Sequence, residues 1–269
     1  MKTIAFWFGV LAAIPGSAQQ PADTAGGPTL AEIARAKQNP VSGLRTVYFQ
    51  DVIAPYGDGA ANGFSVQPVW PFRIGEDWKL ITYTIVPVQW LPTSEGGVPK
   101  AGGLGNILFN GYFRPAKASG PLVWGIGPAM QLPTRTDAGL GSSALCLGPA
   151  ALLYLNAGVV GGGLVLQNFW SLGATGTNRV NLFSGQYILF YNFSPAFYLE
   201  SNATITASWV ADAAQRWTVP IGGGPGFNFQ IGKSKYFYSA AVQGFYNAAR
   251  PEPVGSWSVI LQFQIIFGQ

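Results

Sequence analysis

The sequence predicts an all-β protein, a membrane-spanning antiparallel up-and-down β-barrel of about twelve strands with a short N-terminal helix. Three observations lead to this prediction. Only 10 % of the 269 residues are charged, whereas a soluble domain carries roughly 25 %, so the chain lacks the polar side chains that would cover a soluble protein of this size. The strand-like segments are longer than those of soluble proteins. The connections between these segments alternate between short and long.

The first residues have the features of a secretory signal peptide. Lys2 supplies a positive charge, and small residues precede a cleavage site after Ala18. The apolar segment between them, residues 4–14, is too short to cross a bilayer as a helix. Residues 1–18 are therefore predicted to be a signal peptide.

Residues 19–43 are predicted to be a linker and one short helix. Thr29 and Glu32 have the spacing of a capping box, and Pro40 prevents the helix from continuing. The sequence leaves two positions open for this helix, because it could be a periplasmic tether or could enter the cavity of the following domain.

Residues 44–269 are predicted to form the barrel. A strand that crosses a bilayer at a tilt of ~45° needs ~9–11 residues, whereas an average strand has ~5–6. Most segments here have the longer, membrane-crossing length. The twelve predicted strands are residues 44–53, 62–74, 78–90, 102–114, 120–132, 142–155, 158–170, 179–191, 196–208, 216–230, 235–247 and 255–267.

Alternation assigns a lipid face and a lumen face to most strands. In the last strand Trp257, Leu261 and Phe263 fall on one face, and Gln262 and Gln264 fall on the other. This period of two is typical of barrel strands. The predicted lumen-lining residues are Ser65, Gln67, Arg73, Asn106, Asn110, Arg114, Gln131, Gln167, Glu200, Asn202, Thr204, Thr206, Asn228 and Gln243.

The connections predict which strand ends share a rim. Short turns are expected near residues 75–77, 115–120, 156–157, 192–195 and 232–234, and longer loops at 54–61, 91–101, 133–141, 171–178, 209–215 and 248–254. Strict alternation of short and long connections is the order of an up-and-down barrel. Both chain termini then lie on the short-turn rim, which in an exported bacterial barrel is the periplasmic side.

Two further residue types fit a narrow membrane barrel. Aromatic residues near strand ends suit the interfacial girdles of such a barrel; they are Tyr48, Trp70, Trp78, Trp90, Trp124, Trp170, Trp209, Trp217, Tyr236 and Trp257. Prolines inside strands remove ladder donors and are expected at bulges or bends; they are Pro68, Pro71, Pro87, Pro128, Pro149, Pro220 and Pro225.

The composition argues against several functions. The chain has no histidine, which removes Ser-His-Asp and Cys-His catalysis and the commonest metal ligand. The single Cys146 lies in an apolar segment and is expected to be a packed side chain. The formal net charge is only +4. We therefore expect no enzyme, no cofactor, no metal site and no nucleic-acid partner.

A series of short sequence blocks resembles one known family. In chain order the blocks are 39–41 (NPV), 67–72 (QPVWPF), 76–82 (EDWKLIT), 86–88 (VPV), 103–106 (GLGN), 124–128 (WGIGP), 132–134 (LPT), 140–142 (LGS), 148–149 (GP) and 217–220 (WTVP). Together they resemble the outer-membrane transporter family named for the meta-cleavage pathway of phenol degradation. The resemblance implies an outer-membrane barrel that passes small, often hydrophobic or aromatic, compounds. Asn106 stands where that family usually has Asp.

The expected function is a passive outer-membrane channel with a narrow, weakly charged lumen. Glu200 is the only acidic residue predicted in this lumen, opposite Arg73 and Arg114, so little ion selectivity is expected. The expected partners are outer-membrane lipid, the barrel assembly machinery and a small-molecule solute. The alternative is a closed structural or adhesive barrel whose loops bind partners.

Overall fold

The computed structural model of the protein describes residues 29–57, 59–92, 100–117, 120–176, 179–232 and 234–267. The predicted signal peptide, residues 1–18, and the first part of the predicted linker lie outside the described residues.

One α-helix precedes the strands. Helix α1 spans Leu30–Gln38, and two 3₁₀ helices lie at Ala138–Leu140 and Ala213–Gln215. None of the helices in the described ranges is long and apolar enough to cross a membrane. The strands are β1 (Arg45–Tyr56), β2 (Gly59–Ile74), β3 (Trp78–Leu91), β4 (Ala101–Leu104), β5 (Ile107–Pro115), β6 (Leu122–Leu132), β7 (Cys146–Ala157), β8 (Val160–Ser171), β9 (Asn181–Asn192), β10 (Phe197–Ser208), β11 (Trp217–Phe229), β12 (Tyr236–Ala249) and β13 (Trp257–Phe267).

The strands form one closed antiparallel barrel. The first and last strands pair from Arg45 opposite Phe267 to Ile53 opposite Val259, and this pairing closes the sheet. Strands β4 and β5 both pair with β3 and occupy one position in the wall, so the thirteen strands give twelve wall positions. The predicted twelve-stranded up-and-down barrel is confirmed, because each of the twelve wall positions pairs with a neighbour on both sides.

The two faces of the wall follow the predicted alternation. In β13, Leu261 and Phe263 are exposed on the outside, whereas Gln262 and Gln264 are buried in the lumen. Tryptophans are exposed on the outer surface near both rims; they are Trp78, Trp90, Trp124, Trp170, Trp209, Trp217 and Trp257. Tyr48 differs from the prediction, because its side chain lines the lumen instead of a girdle.

Most of the strand prolines lie where the ladder is interrupted or changes register. Pro128 and Pro149 face each other across β6 and β7. The ladders that these two strands form with their other neighbours, β5 and β8, each skip two residues beside the prolines. A Cβ atom at Gly127 or Gly148 would overlap a carbonyl oxygen of the neighbouring strand, so these glycines allow close approach of the backbones. Interruptions also occur beside Pro68 and Pro225, and a register shift occurs at Pro220. Pro71 and Pro87 stay within paired segments.

The widest interruption lies between β10 and β11. The ladder stops after Glu200 opposite Gly224 and resumes at Thr206 opposite Thr218 in the same register. Between these points a side chain from β12 replaces one ladder bond, because Gln243 Oε1 accepts the backbone N–H of Asn202 at 2.9 Å.

One predicted connection is wrong. Residues 54–61 were expected to form a long loop, but β1 and β2 pair as far as Tyr56 opposite Gly59, so only residues 57 and 58 join them. Gly57 has a φ of +56°, a conformation in which glycine carries no steric penalty. We call the ends of the barrel the short-turn rim (75–77, 116–121, 158–159, 193–196 and 230–235) and the long-loop rim (57–58, 92–100, 133–145, 172–180, 209–216 and 250–256).

Candidate functional site: the lumen and its plug

Helix α1 enters the lumen at the short-turn rim. The helix begins at Thr29, whose hydroxyl accepts the backbone N–H of Glu32 at 3.3 Å while its own N–H donates to the Glu32 carboxylate at 2.7 Å. This capping box was predicted, and hydrogen bonds from Thr29 hold the pKa of Glu32 below its usual value. The buried helix face consists of Ile33, Ala34, Lys37 and Gln38.

An apolar cluster holds one side of the helix against the wall. Ile33 and Leu44 pack with Phe237 at the start of β12 and Ile266 at the end of β13. Both of these strand ends belong to the short-turn rim. We call residues 30–44 the plug, because they fill the lumen at this rim.

Polar contacts hold the other side of the plug. Gln38 Nε2 donates to Asn192 Oδ1 at 2.7 Å, and Asn192 Nδ2 donates back to Gln38 Oε1 at 3.1 Å. Arg114 donates from Nη1 to the carbonyl oxygen of Val41. The plug is therefore bonded to strands on opposite parts of the barrel wall.

The ammonium group of Lys37 is the charged group of the plug that lies at the central cavity of the lumen. Its ammonium nitrogen lies 3.0 Å from Tyr198 Oη and 2.9 Å from Ser239 Oγ, and it donates to both hydroxyls. The nitrogen also lies 4.1 Å from the centre of the Tyr198 ring and 5.8 Å from the centre of the Phe190 ring, within the range of cation–π attraction. We call Phe190, Tyr198, Glu200 and Ser239 the ammonium cage.

Burial and charge act in opposite directions on Lys37. Loss of hydration lowers the pKa of Lys37 to about 8, while the negative charge of Glu200 raises it. Lys37 therefore remains protonated at pH 7. The arrangement gives a buried positive charge that its surroundings only partly compensate.

Glu200 faces the same central space as Lys37. Its side chain is 3 % exposed, and Oε1 accepts a hydrogen bond from Gln243 Nε2 at 2.8 Å. Oε2 is buried and has no hydrogen-bond partner among the residues that the structure describes, and the same is true of Tyr112 Oη and Gln264 Nε2. All three of these side chains line one central cavity of about 60 Å³, so this cavity is surrounded by unused polar atoms.

A larger cavity lies on the long-loop side of the central one. It has a volume of about 260 Å³ and shares Gln50, Gln67, Tyr83, Val165 and Gln186 with the central cavity. A cavity of ~10–15 Å³, measured for a water-sized probe, holds one water molecule. The larger space is therefore wide enough for a small organic solute, whereas the central space is narrow.

Most predicted lumen residues lie inside the barrel. Eight line the two cavities, namely Gln67, Asn110, Gln131, Gln167, Glu200, Asn202, Thr204 and Thr206. Five more are buried, namely Ser65, Asn106, Arg114, Asn228 and Gln243. Their role in transport stays a prediction.

One of the predicted lumen residues, Arg73, does not lie in the lumen. Arg73 lies exposed at the short-turn rim, where Nε donates to the carbonyl oxygen of Gly75 at 3.1 Å, because its strand has already left the lumen. The Arg114 guanidinium donates a hydrogen bond to the plug backbone. The positive charge that acts on Glu200 is Lys37.

Lys37 was not predicted to line the lumen, although the sequence contains a pattern that indicates its burial. Leu30, Ile33, Ala34 and Lys37 share one face of a helix because their spacing is three or four residues, so Lys37 extends an apolar stripe. The contacts of Asn106 add a structural role that its sequence position did not indicate. Its side chain bonds to the backbone of Arg135 and Ser142 and so fixes the loop after β6.

A search for metal-binding groups gave nothing in the part of the chain that the structure describes. No three His, Cys, Asp or Glu side chains there are close enough together to hold an ion.

Comparisons with known proteins support the fold. No family model matches the chain, and no curated protein matches it, so the resemblance to the phenol-degradation family stays a prediction. An outer membrane channel from Pseudomonas putida F1 has a similar structure, with a TM-score of 0.57 and 15 % identity over 83 % of this chain and 94 % of that one.

A second solved structure is similar at a lower level. It is the calcium-bound dimer of an outer membrane phospholipase from Salmonella typhi, with a TM-score of 0.42, 10 % identity, and coverage of 87 % of this chain and 95 % of that chain. At this TM-score the likeness carries no functional argument. The comparisons therefore show that this chain has the barrel fold found in an outer membrane channel.

Proposed function

We propose that the protein is a passive channel of the bacterial outer membrane for small solutes, hydrophobic or aromatic ones among them. The observation that carries the proposal is the joined pair of lumen cavities, which runs from the long-loop side to the plug. A barrel of eight strands is filled by its own side chains, whereas sixteen to eighteen strands leave an aqueous channel. Twelve wall positions leave a narrow lumen in which a single short segment can block passage.

The lining of the wider cavity supports passage of weakly polar solutes. Its polar residues are Gln, Asn, Ser, Thr and Tyr, and it also has apolar side chains such as Leu108, Phe169 and Leu182. None of its lining residues is charged. Such a surface offers hydrogen bonds and apolar contact without selecting strongly for either sign of charge.

The orientation in the membrane is part of the proposal. Both ends of the described chain lie at the short-turn rim, which we assign to the periplasm, and the long-loop rim then faces outward. The exposed aromatic side chains on the wall would contact outer-membrane lipid, and the barrel assembly machinery would insert the folded wall.

Solute entry into liposomes tests the channel. Purified full-length protein and a variant lacking residues 19–40 are compared for entry of uncharged solutes of graded size. We expect slow entry through the intact protein and several-fold faster entry through the variant. Heat-modifiable gel migration serves as the folding control. If neither folded protein accelerates entry over protein-free liposomes, the protein is not a channel, and the alternative of a closed structural or adhesive barrel replaces it.

A further inference from the structure

Lys37 is bound as a separate ammonium ligand would be bound. A primary ammonium group has three N–H donors and no acceptor, and here two donors meet the hydroxyls of Tyr198 and Ser239. The face of the Tyr198 ring covers the same nitrogen at 4.1 Å. These contacts come from strands β10 and β12, and they recognise the ammonium end of the side chain.

The cage contains a second feature that points to a cation. Glu200 is 3 % exposed, and its Oε2 has no hydrogen-bond partner among the described residues. A buried carboxylate is costly unless it is paired. Gln243 satisfies the other oxygen and also bonds to Asn202, so it fixes the carboxylate in the lumen wall. The barrel therefore supplies a negative charge whose compensation depends on the plug.

The plug reaches this cage from the short-turn rim. Lys37 belongs to a nine-residue helix, which is also held by one apolar cluster and by the hydrogen bonds between Gln38 and Asn192. A solute that arrived through the wider cavity would reach the cage on its other side, because Lys37 and Glu200 line the central cavity. The Glu200 carboxylate and the Phe190 ring, which line this cavity, would then be available to either ammonium group. Tyr198 and Ser239 are buried behind Lys37 and would become accessible when Lys37 leaves.

We propose that the ammonium cage is a binding site for primary ammonium groups of small solutes, and that Lys37 is an internal occupant which such a solute displaces. This inference rests on the proposed channel and names one substrate class for it, a small primary amine with an apolar tail. Release of Lys37 removes one of the plug's attachments, so binding of the amine and opening of the lumen are coupled.

Calorimetry on the folded full-length protein in detergent tests the site without requiring transport. The probe is n-propylammonium, and n-propanol is its uncharged counterpart. The Lys37→Ala variant should bind n-propylammonium about tenfold or more tightly than the wild type, because the internal competitor is absent. The double variant Lys37→Ala/Glu200→Gln should lose most of this gain, and n-propanol should not distinguish the three proteins.

The outcomes separate the two proposals. The ammonium site is refuted if Lys37→Ala binds n-propylammonium no better than n-propanol. It is also refuted if the double variant Lys37→Ala/Glu200→Gln binds n-propylammonium as tightly as Lys37→Ala does. Both conclusions hold whatever the liposome assay shows. Faster solute entry after deletion of residues 19–40 would still support the channel in that case. The Lys37→Ser variant repeats the comparison if the alanine variant does not fold, with gel migration as the criterion.

Discussion

The two halves of the lumen are built from the same wall but differ in what fills them. Among the described residues, barrel side chains line the half near the long-loop rim, which holds a cavity of about 260 Å³. The half near the short-turn rim contains the plug, and the space that remains at its tip is about 60 Å³. In the described part of the chain, the narrower half therefore owes its small free volume to a separate segment as well as to the wall.

The two halves also differ in how their charge is arranged. Among the described residues, those that line the wider cavity are all uncharged, whereas the central cavity has Lys37 and Glu200 on its surface. The charged pair lies where the plug meets the wall. The weak charge of the whole lumen stays a prediction.

The largest expected effect comes from weakening the plugged half. Lys37→Met keeps most of the apolar stem but leaves Tyr198 and Ser239 without their ammonium donor and Glu200 without the nearby positive charge. Docking of α1 should weaken by roughly 1–3 kcal/mol, because buried polar groups lose a charged partner. Hydrogen exchange of the helix amides measures this loss. Arg35→Met, an exposed position on the same helix, is the matched control and should leave exchange unchanged.

A smaller effect is expected from narrowing the open half. Gln167 lines the wider cavity. In the variant lacking residues 19–40, Gln167→Trp should lower the single-channel conductance by about twofold or more. The reason is that a lumen of this size is only slightly wider than its own side chains. Leu166→Trp is the control, because Leu166 faces outward on the same strand. Equal conductance for the two tryptophan variants would place the conducting path outside this cavity.

The smallest expected effect is a pH dependence. Burial lowers the pKa of Lys37 from its ordinary value of 10.5 to about 8, so the undocked helix binds more protons than the docked one between these values. Docking is therefore least favourable below about pH 8 and strengthens as the pH rises between the two pKa values.

Conductance of the intact protein should accordingly fall between pH 7 and pH 9. The titratable groups that face Lys37 are Glu200 and Tyr198, and Lys37→Met removes the dependence if Lys37 is its source. A profile that persists in Lys37→Met would assign the titration to another group.

The wall could be predicted from the sequence because its physical cause is local. Alternation with a period of two follows from strand geometry, and it placed Gln262 and Gln264 in the lumen. The capping box of Thr29 and Glu32 is likewise a contact between neighbours. The first hairpin was also predictable in principle, since its two connecting residues are Gly57 and Asp58, and Gly followed by Asp is a sequence typical of two-residue hairpin turns.

The position of the plug could not be predicted in the same way. The contacts that place α1 link residues far apart in the chain, such as Lys37 with Ser239 and Gln38 with Asn192. No periodicity of the helix identifies those partners, and the helix length fits a tether equally well. The hydrogen bond from the Asn202 backbone N–H to Gln243 Oε1, which bridges the interrupted ladder, also links residues far apart in the chain and could not be predicted from local sequence.

The most direct test of the account is to fix the plug in place and measure conductance. Gln38 and Asn192 contact each other at 2.7 Å, so cysteines at these two positions can be joined by a disulfide, or by a short cross-linker that contains one, after Cys146, the only native cysteine, is replaced by serine. Cross-linking should abolish conductance through the barrel, and reduction of the link should restore it. Conductance that is the same before and after cross-linking would contradict the central claim that α1 closes the lumen.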